Sequence, residues 1–508
     1  MRKTTIRFAF MALGLILLST YLYSQKSYNY DELDSYIEKG VEDFNVPGFA
    51  VGIVKNGEVV FQKGYGVRNT ETGEAVDTKT LFGIASCSKA FTAASMAILV
   101  DEGKVDWNDK VIDRLSWFRM YDPAITNDLR IDDLLCHRSG MQTFDGDLLW
   151  YGTNYSRREV VERIRYRENK FGLRQKFGYS NVMFITAGEV IEAVSGKAWE
   201  EFVTEKILLP IGMNSTTTTN SGFDKSMNVA WPHINGKPQE FINYDNSGPA
   251  ASLNTSTEDF LKWVQLMLNK GVSGEDTVFS EKQYYNLTQP HTLLNAGRAE
   301  KPGGTHFVTY GLGWFMQDFE GVKVVQHGGG LPGFHSKVVF VPEDSLGFVI
   351  MANQISPLVE AIYKKILDFY LSDGQKDWAG LYLDYDIKQE AKKKEREKEK
   401  LESAIKGTEP TLELTGYIGF YEDEMYGKAE ISMKDGRLYV SLLPAKEMFS
   451  ATLGHWQYNT FSFRFNDAFL PTGYLTFSIG ENGKPDYFTI DLENPDFHFY
   501  KLKFEKVH

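Results

Sequence analysis

The stretch LFGIASCSKAFTAASMAILVDEGKV, Leu81 to Val105, sets the frame for everything around it. Apolar Ala90, Phe91, Ala94, Ile98 and Leu99 recur at the spacing of one helix face. The opening turn is Ser86-Cys87-Ser88-Lys89. Residues three apart share a helix face, so the spacing predicts that the Ser86 hydroxyl and the Lys89 amine meet. A serine at a helix N-terminus lies among unpaired N–H groups that favour negative charge, and a neighbouring amine can take its proton. Glu102-Gly103 is the expected stop. An S-x-x-K match says little alone, because Ser403-Ala404-Ile405-Lys406 fits it too, inside a charged segment. The plain alternative for Ser86 is an ordinary helix-capping serine.

Working outward, Asp31–Phe44 is amphipathic and reads as a helix ended by Val46-Pro47-Gly48. Phe49–Val54 and Glu58–Gln62 flank Asn56-Gly57, a strong hairpin signal. Residues from about 109 to 273 read mostly as helices and loops, with amphipathic helices at Val182–Val194 and Thr257–Leu268. Strand candidates then follow at Tyr310–Met316, Val322–Gln326, Lys337–Val341 and Leu346–Met351, and a helix at Pro357–Leu371. Early and late strands bracketing a helical insert predict an α+β fold, one antiparallel sheet flanked by helices. Gln389–Glu399 is a solvated charge run. From about Thr415 to Phe504, short strands between Gly-bearing turns predict a small antiparallel β-barrel or sandwich.

The chain has 508 residues, enough for more than one domain, with a formal net charge of -13 that argues against nucleic acid as a partner. Arg2, Lys3 and Arg7 precede an apolar run from Phe8 to Leu18, the pattern of a secretory signal peptide. The expectation is a periplasmic or secreted protein, with association to the cell envelope, and an uncleaved anchor as the alternative. The expected division is residues 1–24 signal peptide, 25–375 main domain, 376–410 charged linker and 411–508 β-domain. Cys87 and Cys136 are the two cysteines, and either a disulfide or two buried thiols fits them.

Serine acylation also needs a proton path and oxyanion donors. Tyr179-Ser180-Asn181, in a turn before a helix, offers a phenol for the first and an amide to hold the substrate. The phenol works as a base only where cations depress it, and Lys89 is the candidate. Val324–Gly333 places His327 at the end of a strand before Gly328-Gly329-Gly330, where glycines let a substrate lie against the backbone. His327 would then donate a hydrogen bond or a charge, and the Gly330 and Ser86 N–H groups would form the oxyanion hole. A glycine-rich turn with a satisfied histidine is the plain alternative. The histidines show no H-x-x-x-H spacing and the cysteines no C-x-x-C, so no metal is expected.

Ser86-x-x-Lys89, Tyr179-x-Asn181 and His327-x-Gly329, in that order, resemble the penicillin-recognising serine hydrolases, in the branch of class C β-lactamases and D-alanyl-D-alanine carboxypeptidases. Leu134-Leu135-Cys136-His137-Arg138-Ser139-Gly140 is similar to the family's L-L-x-H-x-S-G. The resemblance covers about residues 31 to 371, and the trailing β-domain resembles a lipocalin-like appendage of some members. It implies a β-lactamase/DD-peptidase-like sheet, catalysis by Ser86, Lys89 and Tyr179, substrate contacts from Asn181, His327, Gly329 and Asn353, and no cofactor. His327 stands where class C β-lactamases usually carry lysine, which puts a dedicated lactamase in doubt. The expectation is an exported serine hydrolase acting through a Ser86 acyl-enzyme on an amide, peptide or ester, as a D-amino-acid or peptidoglycan-type peptidase or a β-lactamase-like enzyme, its partner a small-molecule or peptide substrate. An esterase or amidase of the same fold, or a catalytically silent binding or envelope protein, are the alternatives.

Overall fold

The computed structural model describes residues 28–296 and 305–507; the signal-peptide reading of residues 1–24 lies outside them. Helix α1 (Tyr30–Asp43) leads into the hairpin β1 (Gly48–Lys55) and β2 (Glu58–Gly66). Asn56 and Gly57 turn it with positive φ of 54° and 84°, the left-handed pair that matches the twist of the strands. Next come α2 (Ser88–Asp101), α3 (Asn181–Ser195) and α4 (Thr257–Leu268). The sheet resumes with β3 (Thr292–Leu294), β4 (Val308–Tyr310), β5 (Phe315–Phe319), β6 (Val322–Leu331), β7 (Phe334–Val341) and β8 (Leu346–Ala352). Among the described residues these make one eight-stranded antiparallel sheet, ordered β2-β1-β8-β7-β6-β5-β4-β3. The first and last of its strands, β1 and β8, lie side by side next to the edge strand β2, Val51 opposite Ile350, so both chain ends build one sheet as the bracketing pattern predicts.

Both faces of the sheet are covered, which is why β1 and β8 read as nearly continuous apolar runs. On one face Phe49, Val51 and Ile53 pack with Leu33 and Ile37 of α1. Ile362 and Ile366 of α5 (Leu358–Leu371) complete that layer. On the other face Ala50 and Val54 join the larger core that contains α2, α3 and α4. Helix α2 is enclosed on all sides, Ser88 through Leu99 being buried, so its polar residues are held without water.

Two strand assignments differ from the sequence reading. Tyr310–Met316 is two strands, because Gly313 takes a φ of 78° and its N–H donates to Leu135 O at 3.0 Å. The strand carrying His327 does not end there but runs to Leu331, and Pro332-Gly333 makes the turn. The charge run is the second half of a single helix, α6 (Trp378–Glu402), whose N-terminal Trp378 and Ala379 are buried, Trp378 in the layer that α1 and α5 form on the sheet.

The C-terminal strands are β9 (Gly419–Asp423), β10 (Gly427–Lys434), β11 (Arg437–Leu442), β12 (Ser450–Thr452), β13 (Gly454–Gln457), β14 (Thr460–Phe463), β15 (Gly473–Ile479), β16 (Pro485–Asp491) and β17 (Lys503–Lys506). Their order is β12-β11-β10-β9-β17-β16-β15-β14-β13. Pairing of β9 with β17 wraps this sheet into a nearly closed nine-stranded barrel, open only between β12 and β13. The barrel docks firmly on the helical region. Tyr151 donates to Asp467 at 2.8 Å and stacks on Phe497 with centroids 4.1 Å apart. Tyr155 donates to Tyr426 O at 2.7 Å. Lys501 reaches Gln142 at 3.0 Å and Asp145 at 2.5 Å.

Candidate active site

Ser86 lies in a single 3-10 turn, Ala85–Cys87, that feeds directly into α2. Ala85 holds a left-handed φ of 48°, an uncommon backbone for a residue with a Cβ, and such strain concentrates at functional turns. Lys89, one turn on, donates to Ser86 Oγ at 3.0 Å, Asn181 Oδ1 at 2.6 Å and Ala250 O at 2.9 Å. The amine is fully enclosed, and burial pushes it down to about 7, although Asp147 nearby opposes the shift. A lysine in that state can hold or release a proton near neutrality, as acid–base chemistry on a hydroxyl requires.

The turn before α3 carries Tyr179 and Asn181, and the L-L-x-H-x-S-G segment explains why it sits there. His137 Nδ1 accepts the Ser180 N–H at 3.0 Å, and its ring lies 4.3 Å from that of Tyr179. A Cβ on Gly178 would stand 1.9 Å from Met141 O, so this approach requires glycine. Tyr179 shares a hydrogen bond with Ser86, yet burial dominates and pushes the phenol well above its ordinary value. Lys89, 4.9 Å from the ring centroid, does not depress it. The expectation of a cation-lowered phenolate is therefore corrected: Tyr179 is a neutral phenol and the lysine is the group shifted toward neutrality.

Asn181 lines the site while its amide bridges two partners, Lys89 through Oδ1 and Asp147 Oδ2 through Nδ2 at 2.7 Å. Asp147 also accepts from Trp150 Nε1 at 3.0 Å, and burial pushes its carboxyl up to about 8. Asp147 and Ala250 are site residues the sequence reading missed. Neither belongs to a spaced motif, and only the fold brings them to Lys89.

His327 is enclosed as well. Burial pushes the imidazole down to about 3, with the Lys89 charge adding to the effect. Its Nδ1 lies 2.6 Å from Gly328 O, which fixes Nδ1 as the protonated nitrogen and leaves Nε2 to accept from Tyr310 OH at 2.9 Å. His327 is thus neutral with both nitrogens engaged, which corrects the expectation that it offers a charge to the substrate. Beyond Gln326, β6 has lost its β5 partner and pairs only with β7, so its other edge is open toward the site.

Three more expectations change. Gly329 is buried and does not line the cavity, and a Cβ there would stand 2.2 Å from Ile84 O and 2.4 Å from Ser336 Oγ. Its smallness lets β6 lie against the turn that carries Ser86. Asn353 is wholly buried away from the pocket; its Oδ1 accepts from Gly48 N at 2.6 Å and its Nδ2 donates to Val67 O and Arg68 O. Cys87 and Cys136 are free buried thiols rather than a disulfide. Cys87 Sγ faces β6 and β7, bonding His327 O and Ser336 Oγ, whereas Cys136 ends the short helix Ile131–Leu135.

Ser86, Tyr179, Asn181, His327 and Gly330 open into one cavity of about 570 Å³. Its walls are largely apolar, with Phe144, Trp150, Phe177, Phe315, Leu331 and Ile355. The C-terminal region adds Phe469, Asp496 and Phe497.

A family model described as Beta-lactamase matches residues 33–371. The chain belongs to the beta-lactamase family. Residues 403–506 match a second model, Domain of unknown function (DUF3471). The chain is 30% identical over 432 residues to Unguisins hydrolase ungD' of Aspergillus campestris, covering 79% of this chain and 77% of that one. It is 27% identical over 342 residues to Protein flp of Staphylococcus aureus, covering 66% and 65%. Among solved structures it resembles the octameric penicillin-binding protein homologue from Pyrococcus abyssi, with TM-score 0.60, 21% identity, and 94% and 100% of the two chains covered. SurE aligns with TM-score 0.53 and 16% identity over 94% and 99%. At these identities the two structures speak for the fold alone.

Proposed function

We propose that this beta-lactamase-family chain is an exported serine hydrolase that forms an acyl-enzyme on Ser86. The observation that carries the reading is the 3.0 Å contact between Ser86 Oγ and an enclosed Lys89 at the base of an apolar cavity. Neutral Lys89 takes the Ser86 proton as Oγ bonds to the substrate carbonyl carbon. The Ser86 and Gly330 N–H groups hold the oxyanion. As the C–N or C–O bond breaks, the proton passes through the Tyr179 phenol to the leaving group. Water then attacks the acyl carbon, returning one proton through the same residues and restoring Ser86. Export rests on the basic and apolar N-terminal sequence.

The substrate is an amide, peptide or ester. A neutral His327, and a Lys337 whose ammonium is tied to Glu360, supply no free cation for a substrate carboxylate. That favours the esterase and amidase side over a dedicated β-lactamase or a carboxypeptidase. The test is intact-protein mass after a fluorophosphonate or fluorescent penicillin, alongside nitrocefin and p-nitrophenyl ester turnover. An adduct lost in Ser86→Ala supports the acyl-enzyme, and undiminished labelling of that variant overturns it. Fast nitrocefin hydrolysis would restore the β-lactamase reading. A protein inert to every probe would be the catalytically silent binding module.

A further inference from the structure

The C-terminal barrel does more than append to the hydrolase fold, since it closes the cavity in front of Ser86. The segment between β16 and β17 places Asp496 and Phe497 in the cavity wall, and the β14–β15 connection adds Phe469. The β16–β17 segment is held rigidly. Asn494 Oδ1 accepts the backbone N–H groups of both Asp496 and Phe497, at 2.9 and 3.0 Å. Phe497 stacks on Tyr151 of the hydrolase body, and His498 and Lys501 both bind the buried Asp145. Phe497 and His498 therefore make docking contacts, whereas Asp496 lines the cavity without one.

Among the described residues no ion pair reaches Asp496, and the cationic field acting on it is that of His498, already bonded to Asp145. Its negative charge is felt inside the site, where it opposes ionisation of both Asp147 and Tyr179. Burial raises its own carboxyl, the mark of a charge that lacks a counter-ion. An unpaired carboxylate held in an apolar cavity beside a nucleophile selects a ligand that brings the missing positive charge.

We propose that Asp496 binds an ammonium group of the substrate, so that the barrel sets specificity for amides, peptides or esters that combine a positive charge with an apolar side chain. This deepens the reading of the Ser86 site as a hydrolase and rests on it for turnover, but not for binding. An ammonium can come from a free α-amine or from a lysine-type side chain. Three probes, each in both chiral forms, separate these sources: phenylalanine amide, N-acetylphenylalanine amide and N-acetyllysine amide.

Binding is measured by calorimetry on the Ser86→Ala protein, and hydrolysis on the intact enzyme by product chromatography. The expected result is at least ten-fold tighter binding of one ammonium-bearing probe than of N-acetylphenylalanine amide. In Asp496→Asn/Ser86→Ala that ratio falls toward one, with each variant compared with itself and its melting temperature checked. Phenylalanine amide winning assigns an α-amine site, and N-acetyllysine amide winning assigns a side-chain site. Equal binding of all three probes, or a preference that survives Asp496→Asn, overturns the proposal. Selective binding without hydrolysis, together with no Ser86 adduct, supports the ammonium site and overturns the hydrolase reading instead.

Discussion

Asn181 Oδ1 stands 2.6 Å from Lys89 Nζ, nearer than the Ser86 hydroxyl at 3.0 Å. The far end of the same amide donates to Asp147, so the amide is gripped at both ends and cannot flip freely. A neutral Lys89 keeps its two N–H bonds, to Asn181 and Ala250, and has one tetrahedral direction left for its lone pair. That direction points at Ser86.

The acylation rate should therefore follow the neutral fraction of Lys89. Labelling of Ser86 is expected to rise with pH through about 7 and level off above it. The sign for stability is the same. The folded amine binds its proton more weakly than the unfolded one, so between about 7 and the ordinary lysine value of 10.5 the unfolded chain holds more protons, and stability gains as pH rises. Lys89→Met should abolish labelling yet melt above the intact protein at pH 6, with the gap narrowing toward pH 10. A higher melting temperature for the intact protein at pH 6 would contradict this.

Burial keeps the Tyr179 phenol protonated at neutral pH, so in the proposed mechanism it is a relay and not the primary base. Tyr179→Phe should slow acylation by about 10²–10⁴, the usual range for a general acid–base group, while the limb near pH 7 stays in place. A shift of that limb in Tyr179→Phe would reassign it from the lysine.

His327 should not titrate across the working range. Imidazole resonances are expected to stay in the neutral form down to about pH 4, since burial holds the ring near 3. Tyr310→Phe removes the donor to Nε2 and leaves that nitrogen to pair with water or a substrate; the expected readout is an upward move of the titration. Protonation of His327 near pH 6 in the intact protein would refute the neutral assignment.

Gly329 and Gly330 are neighbours with opposite tolerances. A Cβ on Gly329 collides with Ile84 O and Ser336 Oγ, whereas on Gly330 the nearest atom is Ile355 Cδ1 at 3.7 Å. Gly329→Ala should cost about 1–3 kcal/mol in denaturant unfolding through overpacking, and Gly330→Ala should leave fold stability nearly unchanged.

Asn353, bonded to Gly48, Val67 and Arg68, is expected to act on stability. Asn353→Ala strands the buried Gly48 N–H and is expected to cost about 1–3 kcal/mol in unfolding, with the substrate KM close to that of the intact enzyme. A selective rise in KM without loss of stability would return Asn353 to the substrate.

Local signals in the sequence carried much of this architecture. The Asn56-Gly57 turn, the helix starting at Thr257 and the S-x-x-K spacing each depend on residues within a few positions of one another, so period and turn chemistry were enough. What stayed hidden depends on dielectric surroundings or on distant chain. His327 looked like a charge because nothing in H-G-G-G announces that Tyr310 and Gly328 will enclose it. Tyr179 looked like a base for the same reason. Gly329 resembled a ligand contact until the Ile84 carbonyl appeared beneath it.

Ser86 and Asp496 face one cavity although most of the chain separates them. A polypeptide interrupted between α5 and the barrel would already carry the whole eight-stranded sheet with the serine, the lysine and the tyrosine, but its cleft would gape on the side lined by Phe469, Asp496 and Phe497. Maturation of the cleft therefore waits for the barrel to be synthesised, folded and seated. Until then the wall that Phe469, Asp496 and Phe497 contribute is missing, so the full shape of the cavity exists only in the finished protein.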